Sequence, residues 1–298
     1  AYEDRSMVDY SAGEITTEES TELMNAVAEG LNKEGVSFYP GISYRHCLIW
    51  KNGPMDIKLT PPHDISGKRI SEHLPKGPGC DIALDLMIKS AEILKNHPVN
   101  KRRVERGLNP ANSIWLWGQG KKPEVPLFIE KYGLCGSVIS AVDLIKGIGI
   151  ASGMKAVNVE GATGNIKTNF VGKAKAALKE LQEGRDLVYI HIEAPDECGH
   201  QGQLKEKIRA IELIDKDVLG TLLNGLEGMD HYRIMVLPDH PTPIAIKTHC
   251  DDPVPFFIYD SRNPDVVNPE AVYTEAFAKS TGLVIQEGYT LMDKFLEV

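Results

Sequence analysis

From about residue 113 onward, short runs of apolar residues alternate with segments in which apolar residues recur at helical spacing. The apolar runs predict strands at 113–117, 136–140, 155–159, 187–192 and 232–237. Helices are predicted between them at 126–132, 141–150 and 167–183, and through a stripe formed by Ile208, Ile211, Ile214, Val218 and Leu222. Continuous apolar strands separated by helices are typical of βαβ units. The pattern therefore predicts an α/β fold, with a mostly parallel sheet and helices on both faces.

The first hundred or so residues follow a different pattern. Short strands are predicted at 36–39, 44–50 and 56–59, separated by Pro-Gly and Asn-Gly turns. Two helices are predicted around them, at 17–31, which opens on a Thr-x-x-Glu capping signal, and at 81–95. This favours a small α+β domain over residues 1–110. The stretch 97–112, with two prolines and three arginines, is interpreted as the boundary to a second domain over residues 111–298.

Composition and charge exclude several classes of partner. With 33 Lys plus Arg against 42 Asp plus Glu, the 298-residue chain has a formal charge of −9, so no nucleic-acid partner is expected. The longest apolar stretch, 133–153, contains Asp143 and Lys146, which indicates a buried core segment and no membrane partner. Five scattered cysteines, with no CxxC pair and no signal-peptide pattern, favour free thiols in the cytoplasm.

Acidic and imidazole side chains follow the two best strand candidates. Asp196 and His200 come after 187–192, Asp239 and His240 come after 232–237, and His249 lies a few residues further on. In an open α/β sheet, ligands bind outside the carboxyl ends of the strands, so these side chains are expected to converge. Two carboxylates and three imidazoles suit Mn²⁺, Zn²⁺ or Co²⁺. Five ligands exceed the needs of one tetrahedral ion, so a two-metal site of the kind that clamps phosphoryl oxygens is predicted.

Each of these residues has a simpler interpretation when taken alone. A single histidine is more often a hydrogen-bonded core residue than a ligand, and an isolated Asp-His dipeptide is usually part of a loop. The metal interpretation depends on all five lying at strand ends of one sheet. Cys198 and Cys250 lie within the same clusters and are interpreted as small buried thiols, because the Asp and His residues already fill the coordination shells.

Longer motifs resemble one enzyme family over nearly the whole chain. The segments 193–200 (EAPDECGH) and 207–215 (KIRAIELID) resemble the 2,3-bisphosphoglycerate-independent phosphoglycerate mutases of the archaeal type, which belong to the alkaline phosphatase superfamily. Further segments that match this family are DYSAG at 9–13, FYPGISYRH at 38–46, IWLWGQG at 114–120, VISAVDL at 138–144, GATG at 161–164, LPDHPTP at 237–243 and DPVPF at 252–256.

The resemblance implies a reaction and a set of metal ligands. Members of this family interconvert 3-phosphoglycerate and 2-phosphoglycerate, in glycolysis and gluconeogenesis, through a phosphoserine intermediate and without 2,3-bisphosphoglycerate. They hold two divalent ions, for which manganese is favoured and zinc or cobalt are alternatives. Carried over to this chain, Asp196, His200 and His249 would hold one ion. Asp239 and His240 would hold part of the second.

This sequence departs from the family at its beginning. The family starts with a strand that ends in an Asp metal ligand, followed by a loop with the Ser nucleophile, and neither precedes Tyr2 here. The expectation is a fragment that starts inside the inserted α+β substrate domain, lacks the nucleophile and is itself inactive. Its phosphatase-type sheet would be incomplete, and self-association through the truncated sheet edge is expected.

The remaining candidates concern the substrate, a small phosphorylated molecule. Tyr44, Arg45 and His46 are substrate candidates because an Arg fork matches a carboxylate or phosphate, although an exposed strand Arg is an equal alternative. Gln119 and Lys121 are weaker candidates that follow a predicted strand end of the second domain. The segment 101–103 (KRR) is interpreted as a solvated face between the domains.

Two alternatives to the mutase remain open. One is a related metal-dependent phosphotransferase or phosphatase, such as a homoserine kinase-like enzyme, which would share every metal ligand. The other is a non-catalytic metal-binding module.

Overall fold

The computed structural model describes residues 2–263 and 268–296, and the chain divides into two compact units, Ala1–Lys122 and Pro123–Val298. The helices of unit 1 are α1 Thr17–Leu31, α2 Cys80–Lys95 and α3 Pro98–Glu105, and its strands are β1 Val36–Tyr39 and β2 Cys47–Trp50. The helices of unit 2 are α4 Phe128–Tyr132, α5 Asp143–Ala151, α6 Phe170–Gln182, α7 Ala194–His200, α8 Leu204–Leu213, α9 Gly220–Leu226, α10 Glu275–Ser280 and α11 Leu291–Leu296. The strands of unit 2 are β3 Gly136–Ile139, β4 Lys155–Val157, β5 Leu187–Ile190, β6 Arg233–Val236 and β7 Phe257–Asp260. In the part of the chain that the structure describes, every helix is too short or too polar to span a bilayer.

Unit 1 is a small α+β unit in which α1 and α2 pack on each other and α1 packs on the antiparallel pair β1–β2. Helix α1 begins where the sequence predicts, because the Thr16 hydroxyl accepts the N–H of Glu19 at 3.3 Å. It ends at Leu31, after which the Asn32 side chain accepts the N–H of Phe38 at 2.8 Å and ties the helix end to β1. The apolar stripe of α1 thereby faces a buried core formed by Leu23, Val27, Leu31, Val36, Phe38, Leu86, Leu94 and Val99, among others.

The segment interpreted as a domain boundary belongs to unit 1. Residues 98–105 form α3, where Pro98 takes the first helical position that suits its fixed φ, and Val99 is fully buried. The expectation of a solvated face at 101–103 is wrong for Arg103, which is 2% exposed. The Arg103 guanidinium donates to the Glu19 carboxylate, to the Ala12 main-chain oxygen and, at 2.8 Å, to the Asn109 main-chain oxygen.

The strand predicted at 113–117 does not form. Instead Ile114 and Leu116 pack against the core of unit 1, and the indole N–H of Trp115 donates to the Thr60 oxygen at 2.8 Å. Unit 1 consequently extends to Lys122 and contains the predicted boundary at 110/111. At 56–59 the predicted strand is reduced to one bridge between Lys58 and Lys76.

Unit 2 has the predicted α/β character. The predicted strands at 136–140, 155–159 and 187–192 form a parallel sheet in the order β4-β3-β5, with β3 buried at every position. The predicted strand at 232–237 forms as β6, but it pairs antiparallel with β7 and lies outside the ladder of the parallel sheet. The expectation that both best strands belong to one parallel sheet is therefore wrong for β6. Strand β7 was not predicted.

The helices around the parallel sheet share a core that supports α7. Phe170 and Ala174 of α6, Ala194 of α7 and Ala210 of α8 are all buried in one cluster with Val218, which lies in a π-helical turn between α8 and α9. The helix predicted through Ile208 and Leu222 therefore forms, and Ile214–Leu219 within it is π-helical instead of α-helical.

Candidate metal centre

Helix α7 follows β5 after the three-residue segment 191–193 and presents two of the predicted ligands on one face. Pro195 takes an early position of the helix, which its fixed φ favours. Asp196 and His200 are four residues apart, so their side chains lie one above the other, with Asp196 Oδ2 3.3 Å from His200 Nε2. The short connection from β5 to α7 therefore places a carboxylate and an imidazole together near the carboxyl end of β5.

The segment after β6 brings the other predicted ligands to α7. His249 Nε2 lies 3.0 Å from His200 Nε2 and 3.4 Å from Asp196 Oδ1. The ring of His240 is 3.8 Å from that of His249, measured between centroids. A cavity of about 150 Å³ opens at this point, lined by His191, Ile192, Glu193, Asp196, Asp239, His240 and His249.

The donor atoms of Asp196, His200 and His249 are spaced like ligands of one ion. Metal bonds to imidazole nitrogen and carboxylate oxygen are about 2.0–2.2 Å long, so neighbouring ligands in one shell lie about 3.0–3.5 Å apart. Here the two imidazole nitrogens lie 3.0 Å apart, Asp196 Oδ2 lies 3.3 Å from His200 Nε2, and the other carboxylate oxygen, Oδ1, lies 3.4 Å from His249 Nε2. Donor atoms of Asp196, His240 and His249 also lie within 4.8 Å of one another. The residues present fit a divalent metal ion.

The orientation of His200 also suits a ligand. Its Nδ1 lies 3.0 Å from the main-chain oxygen of Lys247. A carbonyl oxygen only accepts, so the proton is assigned to Nδ1, and the Nε2 lone pair then points to Asp196 and His249. Metal-binding histidines ordinarily donate their other ring N–H to a carbonyl or carboxylate in this way.

Thr242 orients Asp196 and His240. Its buried hydroxyl donates to Asp196 Oδ1 and lies 3.4 Å from His240 Nδ1, and its main-chain oxygen accepts the Lys207 ammonium at 2.6 Å. Neither Thr242 nor the Lys247 carbonyl was predicted from the sequence. Thr242 lies two residues after the Asp-His pair, and this position could have indicated its role. A main-chain contact such as that of the Lys247 carbonyl cannot be recognised from residue type.

Asp239 has the most exposed side chain of the five predicted ligands, at 62%, whereas the His240 side chain is 32% exposed. The Asp239 carboxylate lies 3.5 Å from His240 Nε2 and accepts the His240 main-chain N–H at 3.1 Å. His191 and Glu193, which the sequence analysis did not single out, complete the cavity wall. Burial lowers the pKa of His191, although the nearby Asp239 carboxylate opposes that shift.

The two thiols near the site behave as small side chains. Cys198 is buried on α7, and burial together with the charges of Glu206 and Glu197 raises the pKa of its thiol. The Cys250 thiol donates to Asp252 Oδ2 at 3.3 Å. For Cys198 the raised pKa disfavours the thiolate that metal binding requires, which agrees with its interpretation as a non-ligand. Cys250, interpreted as a buried thiol, is only partly buried.

All five substrate candidates lie in unit 1, so the expectation that Gln119 and Lys121 belong to the second domain is wrong. The Arg45 guanidinium is exposed and lies 4.8 Å from the centre of the Tyr44 ring. His46 Nδ1 accepts the Gly41 N–H at 3.1 Å, and burial lowers the pKa of His46 to about 4. His46 is thus a neutral residue that holds the Pro-Gly turn. Gln119 donates to the Ile57 oxygen at 2.6 Å, and Lys121 is exposed.

Comparison with known proteins finds two family models that match this chain. A family model described as the Metalloenzyme superfamily matches residues 53–293. A second, described as 2,3-bisphosphoglycerate-independent phosphoglycerate mutase, matches residues 1–100. A probable mutase of that name from Geobacter sulfurreducens is 50% identical over 98% of this chain and 72% of its own length. The corresponding protein from Methanothrix thermoacetophila is 54% identical, over 96% of this chain and 72% of its own length.

The chain belongs to the 2,3-bisphosphoglycerate-independent phosphoglycerate mutase family. A solved cofactor-independent phosphoglycerate mutase from Thermoplasma acidophilum is similar in structure, with a TM-score of 0.57 and 26% identity over 96% of this chain and 71% of that one. A solved protein from Pyrococcus horikoshii has a TM-score of 0.64 and 27% identity, over 85% of this chain and 62% of that one. Membership in this mutase family agrees with the resemblance seen in the sequence, and with the mixed α/β fold.

Proposed function

We propose that this chain provides the metal centre of an enzyme that interconverts 3-phosphoglycerate and 2-phosphoglycerate through a phosphoserine intermediate. Two divalent ions, for which we favour manganese, would be held there. Asp196, His200 and His249 would bind one ion, and Asp239 and His240 would contribute to the second. The chain spans 72% of the length of the relatives from Geobacter sulfurreducens and Methanothrix thermoacetophila. Turnover is therefore proposed for the protein that carries this chain with any flanking segments.

The observation that carries this proposal is the spacing of three donor groups. Asp196 and His200 belong to α7 and His249 to a separate segment, yet the two imidazole nitrogens lie 3.0 Å apart. Each has an oxygen of the Asp196 carboxylate within 3.4 Å, Oδ2 for His200 and Oδ1 for His249. The lone pair of His200 already points into this group, because its Nδ1–H is held by the Lys247 carbonyl. Two imidazoles and a carboxylate are the donor set that manganese and zinc accept.

The protein's own groups have separate tasks in this proposal. Divalent ions at such a centre lower the pKa of a hydroxyl nucleophile and neutralise phosphoryl charge. Thr242 holds Asp196 Oδ1 and so directs the carboxylate towards the histidines. The exposed Arg45 guanidinium has the forked shape that binds a carboxylate or phosphate through two hydrogen bonds, and we assign it to the substrate.

Turnover tests the function directly. In a protein that carries this chain with any flanking segments of its gene, 3-phosphoglycerate is expected to give 2-phosphoglycerate without 2,3-bisphosphoglycerate or a nucleotide. Chelation with EDTA should abolish the reaction and Mn²⁺ should restore it, as followed by ³¹P NMR. A reaction that requires ATP and phosphorylates an alcohol such as homoserine would instead support the related phosphotransferase.

We also propose that the isolated chain self-associates. Helix α5 exposes Leu144, Ile148 and Ile150, and α8 exposes Leu204, Ile208 and Ile211. Within the described residues, β4 and β5 each pair with β3 alone, so both edges of that sheet carry unpaired main-chain groups. Exposed apolar side chains and open sheet edges of this kind favour association.

Multi-angle light scattering checks the association. The mean mass of the 298-residue chain is expected to rise with concentration, and an Ile148→Glu, Ile208→Glu double variant should reduce that rise. A single species with the 32.9 kDa mass of the monomer at every concentration would contradict the proposal.

A further inference from the structure

A buried lysine contacts the segment that connects β5 to α7, the helix that carries two of the candidate metal ligands. Lys173, near the start of α6, is 1% exposed, and its ammonium donates to the main-chain oxygen of His191 at 3.1 Å. His191 immediately follows β5, and its own N–H donates to the Ile139 oxygen at 2.8 Å. Burying an ammonium is costly unless it is compensated, so its placement at this connecting segment indicates a local task.

Glu193 is the negative group that acts on this ammonium. Burial lowers the pKa of Lys173 to about 8, while the Glu193 carboxylate opposes the shift and Lys146 adds to it. At neutral pH the side chain therefore remains mostly charged, and its charge partly balances that of Glu193. The Lys173 ammonium also adds to the lowering of the His191 pKa.

Glu193 is connected to the metal centre in two ways. Its main-chain oxygen accepts the N–H groups of Asp196 at 2.9 Å and Glu197 at 3.1 Å, which opens α7. Its side chain lines the cavity together with Asp196 and Asp239, so three carboxylate residues border the space in which an ion would be bound.

A glycine marks the place that the Glu193 carboxylate occupies. A Cβ added to Gly164 would lie 2.5 Å from Glu193 Oε2, closer than side-chain atoms approach. The φ angle of Gly164 is not in the left-handed region, so an added Cβ would act on the Glu193 carboxylate, which would have to move aside. The Glu193 carboxylate is therefore close to the Gly164 main chain, and the buried Lys173 ammonium attracts it.

We propose that Lys173 is a positioning residue for the metal centre, an inference that rests on the function proposed above. By holding the His191 carbonyl and balancing the charge of Glu193, Lys173 fixes the start of α7. It also keeps the Glu193 carboxylate against Gly164 and out of the ligand set, so that the ion is bound by Asp196, His200 and His249.

The main test is a charge-removing variant with a compensating partner. Lys173→Met retains an unbranched apolar stem, and it should weaken Mn²⁺ binding by the 298-residue chain about tenfold or more, as outer-shell changes do. The absorption spectrum of bound Co²⁺ should change as Glu193 joins the ligands. Lys173→Met combined with Glu193→Gln should recover most of the lost affinity and the original Co²⁺ spectrum, whereas a purely structural lysine would not be rescued.

A second variant tests the same arrangement without touching the core. Gly164→Ala should displace the Glu193 carboxylate and weaken Mn²⁺ binding in a chain that still folds. The matched controls are Lys175→Met, an exposed lysine of the same helix, and Gly147→Ala, whose added Cβ meets nothing within 4 Å. Both controls should bind Mn²⁺ like the wild type.

The outcomes separate this inference from the proposed function. Wild-type affinity in Lys173→Met, or in a folded Gly164→Ala, would overturn the positioning role and leave the metal centre intact. Weakened binding that Glu193→Gln does not rescue would make Lys173 a core residue only. Failure of the wild-type chain to bind Mn²⁺ would overturn both proposals.

Discussion

Replacement of Arg103 by methionine is expected to lower the free energy of unfolding of unit 1 by about 3–5 kcal/mol, because it breaks a buried ion pair from one side. The Arg103 guanidinium is 2% exposed and joins three segments through Glu19, Ala12 and Asn109. Without it, the Glu19 carboxylate at 18% exposure keeps only the exposed Arg106 guanidinium, at 3.2 Å, among the ion pairs of the described residues. The main-chain oxygens of Ala12 and Asn109 each lose a charged donor.

Urea unfolding and hydrogen exchange measure this loss. Exchange should accelerate in peptides of unit 1, including α1 and the 9–13 segment, at urea concentrations that leave the wild type folded. Arg102→Met is the matched control, since Arg102 and Glu22 are each about half exposed and 3.4 Å apart. Exposed pairs contribute about 0–1 kcal/mol, so the control should change little. Equal effects of the two substitutions would contradict the role assigned to Arg103.

Substitution of both α7 ligands, Asp196→Ala with His200→Ala, is expected to abolish tight Mn²⁺ binding by the 298-residue chain. The wild type should bind about one ion tightly through Asp196, His200 and His249. Loss of two direct ligands leaves a single imidazole from that set, and the affinity should fall by more than roughly 100-fold, beyond the effect of outer-shell changes. Isothermal titration and elemental analysis of the purified chains measure the change.

An acidic and imidazole pair in unit 1 provides the control. His63 and Asp64 lie 3.7 Å apart and are about half exposed, so His63→Ala with Asp64→Ala removes the same chemical groups elsewhere. This control should retain wild-type Mn²⁺ binding. Retention of the tight site by the Asp196→Ala, His200→Ala chain would show that the ion is held by other residues.

The sequence predicts elements best where local chemistry determines them. Helix α1 has the predicted bounds because the Thr16 cap and the spacing of Leu23, Val27 and Leu31 act within a few residues of each other. The apolar run at 114–117 has the composition of a strand, but within the described residues no strand pairs with it, and it packs against the core of unit 1 instead. Whether an apolar run pairs or merely packs depends on distant residues, which periodicity does not report.

The same limit applies to α3 and to the site. Pro98 and the neighbouring arginines indicated a boundary, although proline suits a first helical turn and Arg103 finds its partners far along the chain. The five candidate ligands were predicted to converge because they follow strand ends, and they do lie near one another even though β6 lies outside the parallel sheet. Lys173 gave no signal, because a lysine on a helix is ordinarily solvated and its burial follows from tertiary packing.

The two sources of the candidate ligands have a consequence for folding. Asp196 and His200 belong to α7, whereas His249 belongs to a segment about 50 residues later, beyond α8, α9 and β6. An ion held by all three would act as a reversible cross-link that closes this long loop. In the chain-entropy description of cross-links, closing a loop of this length disfavours the unfolded chain by about 4 kcal/mol. Assembly of the metal centre and folding of the last third of the chain would then be one coupled equilibrium.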